Sequence, residues 1–129
     1  MKKFGLIFSL VTILTVSIFT SCNKQKIEKL KGEWTLVGGT SLTTESYDYF
    51  YNFTDDQVTI STQEKGSAEK DICATGNYVV KNNVLTIAAQ TVFCEYLTYA
   101  GDWDIETLDD EVLIIRQSGV GATTLEFIK

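Results

Sequence analysis

Apolar and polar residues alternate with a period of two over most of the chain from residue 32 onward. Because successive side chains of a strand point to opposite faces of a sheet, this alternation predicts strands with one buried face. Short stretches rich in Asn, Asp, Ser and Gly separate the segments and favour turns. The predicted strands cover residues 33–39, 46–54, 57–62, 72–81, 84–93, 101–107, 111–117 and 122–128.

Eight short strands joined mostly by tight turns predict an all-β domain, built as an antiparallel meander over residues 32–129. A meander leaves two open edges, and closure into a barrel removes both of them. We therefore expect a closed eight-stranded barrel. A two-sheet β-sandwich is the alternative, because periodicity alone does not separate the two architectures.

The N-terminal segment has a different pattern. Residues 5–20 are almost continuously apolar and follow Lys2 and Lys3. A basic start, a short apolar run and small residues are typical of an export signal rather than of a transmembrane helix. We predict a signal peptide over residues 1–21, and then a polar tether over residues 22–31 that ends in a short helical turn.

The residues Phe19-Thr20-Ser21-Cys22 resemble the lipobox of bacterial lipoproteins, with Phe19 where that box prefers Leu. The resemblance implies a diacylglyceryl group on Cys22, cleavage before it and acylation of the new N-terminus, so that the tether is lipidated. Several acyl chains hold a protein stably on a membrane, whereas one holds it only weakly. Asn23, as the residue after the modified cysteine, favours attachment to the outer membrane. We expect the protein to lie at the periplasmic face of that membrane or at the cell surface. An ordinary secreted protein with a free cysteine is the alternative.

Charge and composition exclude several classes of function. Cleavage before Cys22 leaves 108 residues and shifts the net charge from −6 to about −8, and the chain has no His. An acidic chain without a basic cluster is unsuited to nucleic-acid phosphates. Histidine is the usual general base and the commonest transition-metal ligand, and the chain lacks it. Asp55 and Asp56 lie in a predicted turn where both carboxylates stay solvated. We expect no enzyme, no cofactor and no nucleic-acid partner.

Two cysteines remain after Cys22, and the exported compartment permits disulfides. Cys73 and Cys94 flank a predicted hairpin with Asn82-Asn83 at its turn, where both residues tolerate positive φ. Pairing about that turn places residue 73 opposite about residue 92. We predict a structural disulfide between Cys73 and Cys94. A redox pair is the alternative, although the chain has no Cys-x-x-Cys motif.

Gly32-Glu33-Trp34 at the first predicted strand resembles the Gly-x-Trp opening motif of lipocalins. The rest of the mature chain is similar to lipocalin-like domains of Bacteroidetes lipoproteins, in short motifs that include Phe53 to Val58, Gly76-Asn77-Tyr78, Leu85-Thr86-Ile87, Ile105 to Leu108, Leu113-Ile114-Ile115 and Leu125-Glu126-Phe127. The resemblance implies a lipocalin-like barrel with Trp34 in the core at its bottom. It also implies an Arg over this Trp, for which Arg116 is the candidate, through a cation–π contact.

Tyr47, Tyr49, Tyr51 and Phe53 occupy alternate positions of one strand and share a face. If this face points inward, three phenol hydroxyls need partners, which a ligand or water would supply. Plain core packing and an outward contact surface are the alternatives. With aromatic residues elsewhere, the candidate ligand-binding set is Trp34, Tyr47, Tyr49, Tyr51, Phe53, Tyr78 and Trp103.

Asp102, Asp104 and Glu106 also alternate, which indicates a solvated outer face. Calcium is the alternative, but an extended strand spaces its carboxylates about 6–7 Å apart, so we predict no metal site. Gly38-Gly39 is a candidate bulge in the first strand.

The sequence therefore favours a lipid-anchored envelope protein that binds a small apolar or aromatic ligand. The alternative is a protein-interaction or inhibitor module that acts through loops and an acidic surface. The segment Ser118-Gly119-Val120-Gly121 resembles the Ser-Gly loop of lysozyme-inhibitor lipoproteins, and the acidic surface would attract a cationic enzyme. An enclosed void inside the barrel would favour the first function.

Overall fold

The computed structural model describes residues 22–39, 46–92, 99–119 and 122–129. Residues 22–30 form a helix, α1, and eight strands follow. The strands are β1 Gly32–Gly39, β2 Tyr47–Phe53, β3 Gln57–Glu64, β4 Asp71–Lys81, β5 Val84–Val92, β6 Gly101–Leu108, β7 Val112–Gln117 and β8 Thr124–Ile128.

The strands form a closed barrel in the order β1 to β8, and every pair of neighbours is antiparallel. Closure is made between β1 and β8, where Leu36 aligns with Phe127. The predicted meander barrel is confirmed, and the sandwich alternative is wrong. The predicted turn at Asn82-Asn83 is also confirmed: Lys81 pairs with Val84, and Asn82 has φ 57°.

The inward rows of the strands form one apolar core. Burial alternates along β7 and β8, as the period of two predicts. Each fully buried large aliphatic or aromatic side chain contributes roughly 1.5–3 kcal/mol, so the interior is the main source of stability. The largest fully buried side chains are Trp34, Trp103, Tyr51, Phe53, Phe127, Leu30, Ile60, Leu85, Ile87, Leu113, Ile115 and Leu125.

Within the described strands, bulges interrupt the ladders at four places. Register shifts lie between Leu36 and Gly38, in β4 beside Ala74, in β5 beside Ala89, and between Ile105 and Thr107. A bulge bends its strand and increases the local twist, which helps a short sheet to close. The bulge predicted at Gly38-Gly39 is found one residue earlier, at Val37.

The N-terminal segment differs from the expected tether. Residues 22–30 are helical throughout, and Leu30 is fully buried while Ile27 packs against the core. These two apolar residues, three positions apart, lie on one face of the helix, so packing holds a segment that is otherwise polar. No helix among the described residues is long and apolar enough to cross a membrane.

The two ends of the barrel differ. At the capped end, where β1 begins, α1 meets the β2–β3 and β4–β5 turns: the Lys31 ammonium contacts the Asp55 carboxylate at 2.5 Å, and the Lys26 ammonium donates to the Asn82 carbonyl at 2.6 Å. The opposite end, the mouth, is where β2 begins with Tyr47 and β7 ends with Gln117.

Candidate functional site

The aromatic row of β2 runs from the mouth into the interior. Tyr47 is 44% exposed, Tyr49 is half-buried, Tyr51 is fully buried and Phe53 is 2% exposed. All four side chains lie on the inward face, because the register of β2 with β3 is unbroken from Tyr47 to Phe53 and Tyr51 aligns with the buried Ile60 of β3. The row therefore connects solvent to the core of the barrel.

Tyr51 is held by aromatic contacts, and its hydroxyl has no hydrogen-bond partner in the described part of the chain. Its ring packs edge-on against Phe127, with the centroids 4.7 Å apart, and lies 6.3 Å from the Phe53 ring. Among the described residues, its hydroxyl is the buried side-chain polar atom without a hydrogen-bond partner. A buried hydroxyl left unpaired costs about 1–3 kcal/mol, so this atom needs a partner from elsewhere.

The surroundings of Tyr51 keep its phenol protonated. Burial raises its pKa far above the usual value, and the nearby phenols of Tyr49 and Tyr99 raise it further. Tyr99 is itself 3% exposed and precedes β6. The Tyr51 hydroxyl therefore keeps its proton and can donate or accept a hydrogen bond at any physiological pH.

Tyr78 has a different role. Its hydroxyl donates to the carbonyl of Thr54 in the β2–β3 turn, and its ring lies 5.3 Å from that of Phe53 in an edge-to-face contact. Burial, and then the neighbouring Asp55 carboxylate, raises its pKa to about 12. Tyr78 therefore ties the capped end together, and its hydroxyl proton is already donated to Thr54.

The two tryptophans are core residues with satisfied indole groups. Trp34 donates to the Leu30 carbonyl at 2.7 Å, and Trp103 donates to the Tyr99 carbonyl at 2.9 Å. Both rings are fully buried. Trp34 fastens α1 to β1, as expected for a residue at the barrel bottom, and Trp103 holds the backbone that presents Tyr99.

The cation expected over Trp34 is not Arg116. The Lys129 ammonium lies 4.8 Å from the Trp34 ring centroid. Arg116 is exposed on β7, where its guanidinium is 4.0 Å from the Glu106 carboxylate. Arg116 lies at an outward position of β7, between the inward Ile115 and Gln117, so the contact inferred from the resemblance is wrong and Lys129 supplies the charge.

A cleft of about 390 Å³ lies at the capped end, between α1 and β6. It is separate from the tyrosine row, which faces the mouth. Its lining combines Cys22, Gln25, Lys26 and Lys29 of α1 with Asn83 of the β4–β5 turn and with Ile105, Glu106 and Leu108 of β6.

The acidic row of β6 is exposed, as expected for a solvated outer face. The Asp102 carboxylate accepts a hydrogen bond from the Thr86 hydroxyl at 2.7 Å, and Glu106 faces Arg116. The bulge at Glu106 breaks the alternation before Thr107. In the part of the chain that the structure describes, no cluster of three or more His, Cys, Asp or Glu side chains is placed to hold a metal ion.

Several predicted residues fall at or beyond the limits of the described chain. Cys22 is a free, exposed cysteine at the start of α1. Cys73 is 7% exposed and is not free, and Cys94 lies outside the described residues, so their pairing stays a prediction. Ser118 and Gly119 are exposed at the mouth, whereas Val120 and Gly121 lie outside the described residues.

Sequence reasoning missed Tyr99 and Lys129. Tyr99 lies in a connection rather than in a predicted strand. The sequence feature that could have indicated it is its position four residues before Trp103, whose indole donates to the Tyr99 carbonyl. Lys129 contacts Trp34 across 95 positions of sequence, and no local pattern indicates such a contact.

The comparisons with known proteins concern the fold. No protein-family model matches the chain, and no curated protein matches it. Among solved structures, the chain is similar to Japanin, a lipocalin from Rhipicephalus appendiculatus whose structure contains bound cholesterol. The TM-score is 0.54 at 16% sequence identity, covering 78% of this chain and 76% of that chain. This likeness and the closed eight-stranded meander show a lipocalin-like barrel.

Proposed function

We propose that this protein binds one small apolar molecule with a single hydrogen-bonding group, inside the barrel and through the mouth. The observation that carries the proposal is the Tyr51 hydroxyl, fully buried and without a partner among the described residues. A ligand that reached this hydroxyl would replace an unpaired polar group with a hydrogen bond, while the rest of its surface contacted aromatic rings.

The chemistry around Tyr51 favours an apolar body with one polar end. Phe127, Phe53 and the core residues beside them offer apolar contacts, and the phenols of Tyr49 and Tyr99 add polar atoms near the same point. Cholesterol, the molecule bound to Japanin, has this character, with a large apolar body and one hydroxyl. Sterols and long-chain alcohols are therefore the first ligands to test.

The role proposed is binding rather than catalysis, at the cell envelope. Lipid attachment at Cys22 would hold the protein on the outer membrane, facing the periplasm or the cell surface. The motif Phe19-Thr20-Ser21-Cys22 supports this proposal, and so does the exposure of the Cys22 thiol at the start of α1.

The test compares ligands that differ in one hydroxyl. Binding of cholesterol and cholestane, and of 1-dodecanol and dodecane, is measured by the change in tryptophan fluorescence of the mature Cys22→Ser domain. We expect the hydroxylated member of a pair to bind about tenfold more tightly, because one hydrogen bond is worth about 1.4 kcal/mol. Tyr51→Phe removes the hydroxyl, keeps the ring and abolishes the preference.

Tyr78→Phe is the matched control, because the Tyr78 hydroxyl is already bonded to Thr54. It should retain the preference. Failure of the wild-type domain to bind any of the four molecules, with no small molecule retained in native mass spectrometry of protein purified from its own host, would overturn the proposed function.

A further inference from the structure

The capped end of the barrel is fastened to α1 at both ends of the helix. Near its start, the Asn23 side-chain oxygen accepts a hydrogen bond from the Asn82 amide at 3.1 Å, and Lys26 donates to the Asn83 side chain at 2.6 Å. At its other end, Lys129 donates to the carbonyls of Lys29 and Lys31. The helix is therefore part of the rigid barrel rather than a linker.

This attachment leaves no slack between Cys22 and the barrel. Cys22 lies within α1, and Asn23 already contacts the β4–β5 turn. A flexible tether of nine residues would span about 15–18 Å and would let the barrel rotate freely. A helix that contains the modified residue and is bonded to the β4–β5 turn does not allow this rotation.

The cleft lies at the same end. It opens beside Cys22, with Ile105 and Leu108 on the side of the barrel and Lys26 and Lys29 on the side of the helix. A glyceryl group on the Cys22 sulfur would extend from the protein surface at this point. This end carries both exposed lysines, Lys24 and Lys29, and exposed carboxylates, Glu28 and Asp55. Its charge is therefore mixed, and the covalent anchor rather than charge attraction decides its orientation.

From these contacts we propose that the capped end of the barrel is a membrane-facing surface, seated on the bilayer that holds the Cys22 anchor. The mouth then points away from the bilayer. A strand of eight residues is about 26 Å long, and the tilt of barrel strands reduces the height to about 20 Å. The end of the barrel at which Tyr47 is exposed is therefore presented to the aqueous compartment, where a ligand could exchange. The inference rests on the proposed lipid anchor.

The experiment measures which end of the barrel lies near the lipid headgroups. The lipidated full chain, made in a bacterium that processes lipoproteins, is reconstituted into phosphatidylethanolamine–phosphatidylglycerol vesicles that contain a nitroxide-headgroup lipid. A fluorophore is attached without reductant to Asp110→Cys, in the β6–β7 turn of the capped end, or to Ser118→Cys at the mouth. Both positions are exposed.

We expect the nitroxide to quench the label at residue 110 at least threefold more than the label at residue 118. A control with twelve Gly and Ser residues inserted between Cys22 and Asn23 should reduce this difference to near zero, because the linker restores rotation.

Two adverse outcomes are distinguishable. Equal quenching at the two positions in vesicle-bound protein overturns the proposed orientation and leaves the anchor intact. Protein that does not float with vesicles, and whose Cys22 carries no lipid by mass spectrometry, overturns the anchor and the orientation with it. Neither result bears on ligand binding by the Cys22→Ser domain.

Discussion

The Lys129 ammonium lies 4.8 Å from the ring centroid of Trp34, and it donates hydrogen bonds to the Lys31 carbonyl at 2.6 Å and to the Lys29 carbonyl at 3.1 Å. Carbonyls at the C-terminal end of a helix have no partner within the helix and attract cations. One side chain after β8 thus joins the end of α1, the first strand and the last strand.

Lys129→Met should lower the free energy of unfolding by about 1–2 kcal/mol, because it removes the charge and the donors but keeps an aliphatic chain of similar length. Urea denaturation followed by tryptophan fluorescence measures the loss. Lys65→Met, at an exposed position after β3, is the control and should change stability by less than about 0.5 kcal/mol. Equal effects of the two substitutions would contradict the assigned role.

Tyr51→Phe should leave the ligand-free protein at least as stable as wild type, with a gain of up to about 1 kcal/mol, because the hydroxyl it removes has no partner among the residues that the structure describes. Tyr78→Phe makes the same chemical change but removes the bond to the Thr54 carbonyl, and should cost about 1 kcal/mol. Ligand-free protein is essential for this comparison. If Tyr51→Phe were the more damaging substitution, the Tyr51 hydroxyl would have a protein partner.

Stability should fall as the pH rises from 10 to 12. Below pH 10, the Tyr78 phenol is protonated in the folded and unfolded states. Above it, the unfolded phenol loses its proton near its ordinary value of 10.0, while burial holds the folded pKa at about 12. The unfolded state then binds fewer protons, so the free energy of unfolding decreases.

After solvent screening, we expect a loss of about 1–2 kcal/mol from Tyr78 across this range. Tyr51, whose pKa burial also raises, adds a loss of the same sign. Urea denaturation at pH 9, 10, 11 and 12 measures the decline, and absorbance at 295 nm reports tyrosinate. Tyr78→Phe should flatten the profile, and an unchanged slope in this variant would refute the assignment.

The barrel could be predicted because short-range sequence patterns determine its strands and its turns. Alternation of apolar and polar residues determines the inward face of each strand, and Asn82-Asn83 favours a two-residue turn. The predicted strand bounds therefore agree with the structure to within two residues, as at β8, predicted from residue 122 and observed from Thr124.

The remaining features depend on contacts between distant segments. In α1, two apolar residues among lysines gave a weak helical period, and the packing of Leu30 beneath Trp34 decides that the segment is helical. The register of β7 places the Arg116 side chain on the outer face of the barrel, so Arg116 does not reach Trp34. Lys129 contacts the Trp34 ring instead. The sequence also placed four aromatic side chains on one face, but only the closed barrel separates the buried Tyr51 from the exposed Tyr47.

Gly76→Ala should destabilise the barrel by about 1–3 kcal/mol. A Cβ at this position would lie 2.7 Å from the Ala88 carbonyl oxygen, a backbone atom beside the β4–β5 bulge that cannot easily move. Gly38→Ala is the control, because its Cβ would meet the flexible Glu126 carboxylate at 3.3 Å. Thermal denaturation of the two variants should show a clearly larger loss for Gly76→Ala, and a reversed order would contradict the predicted clash.

The disulfide predicted between Cys73 and Cys94 can be tested in the Cys22→Ser domain. The β4–β5 register aligns Ala74 with Val92, the last residue of β5, so Cys73 lies beside the end of that strand. Alkylation of unreduced, denatured protein should add no group, whereas prior reduction should expose two thiols by mass spectrometry. Reduction should also lower the free energy of unfolding by about 3 kcal/mol, because the bond closes a loop of about 20 residues. Two reactive thiols before reduction would show that the bond is absent, and the stability of the wall around Cys73 would then come from packing alone.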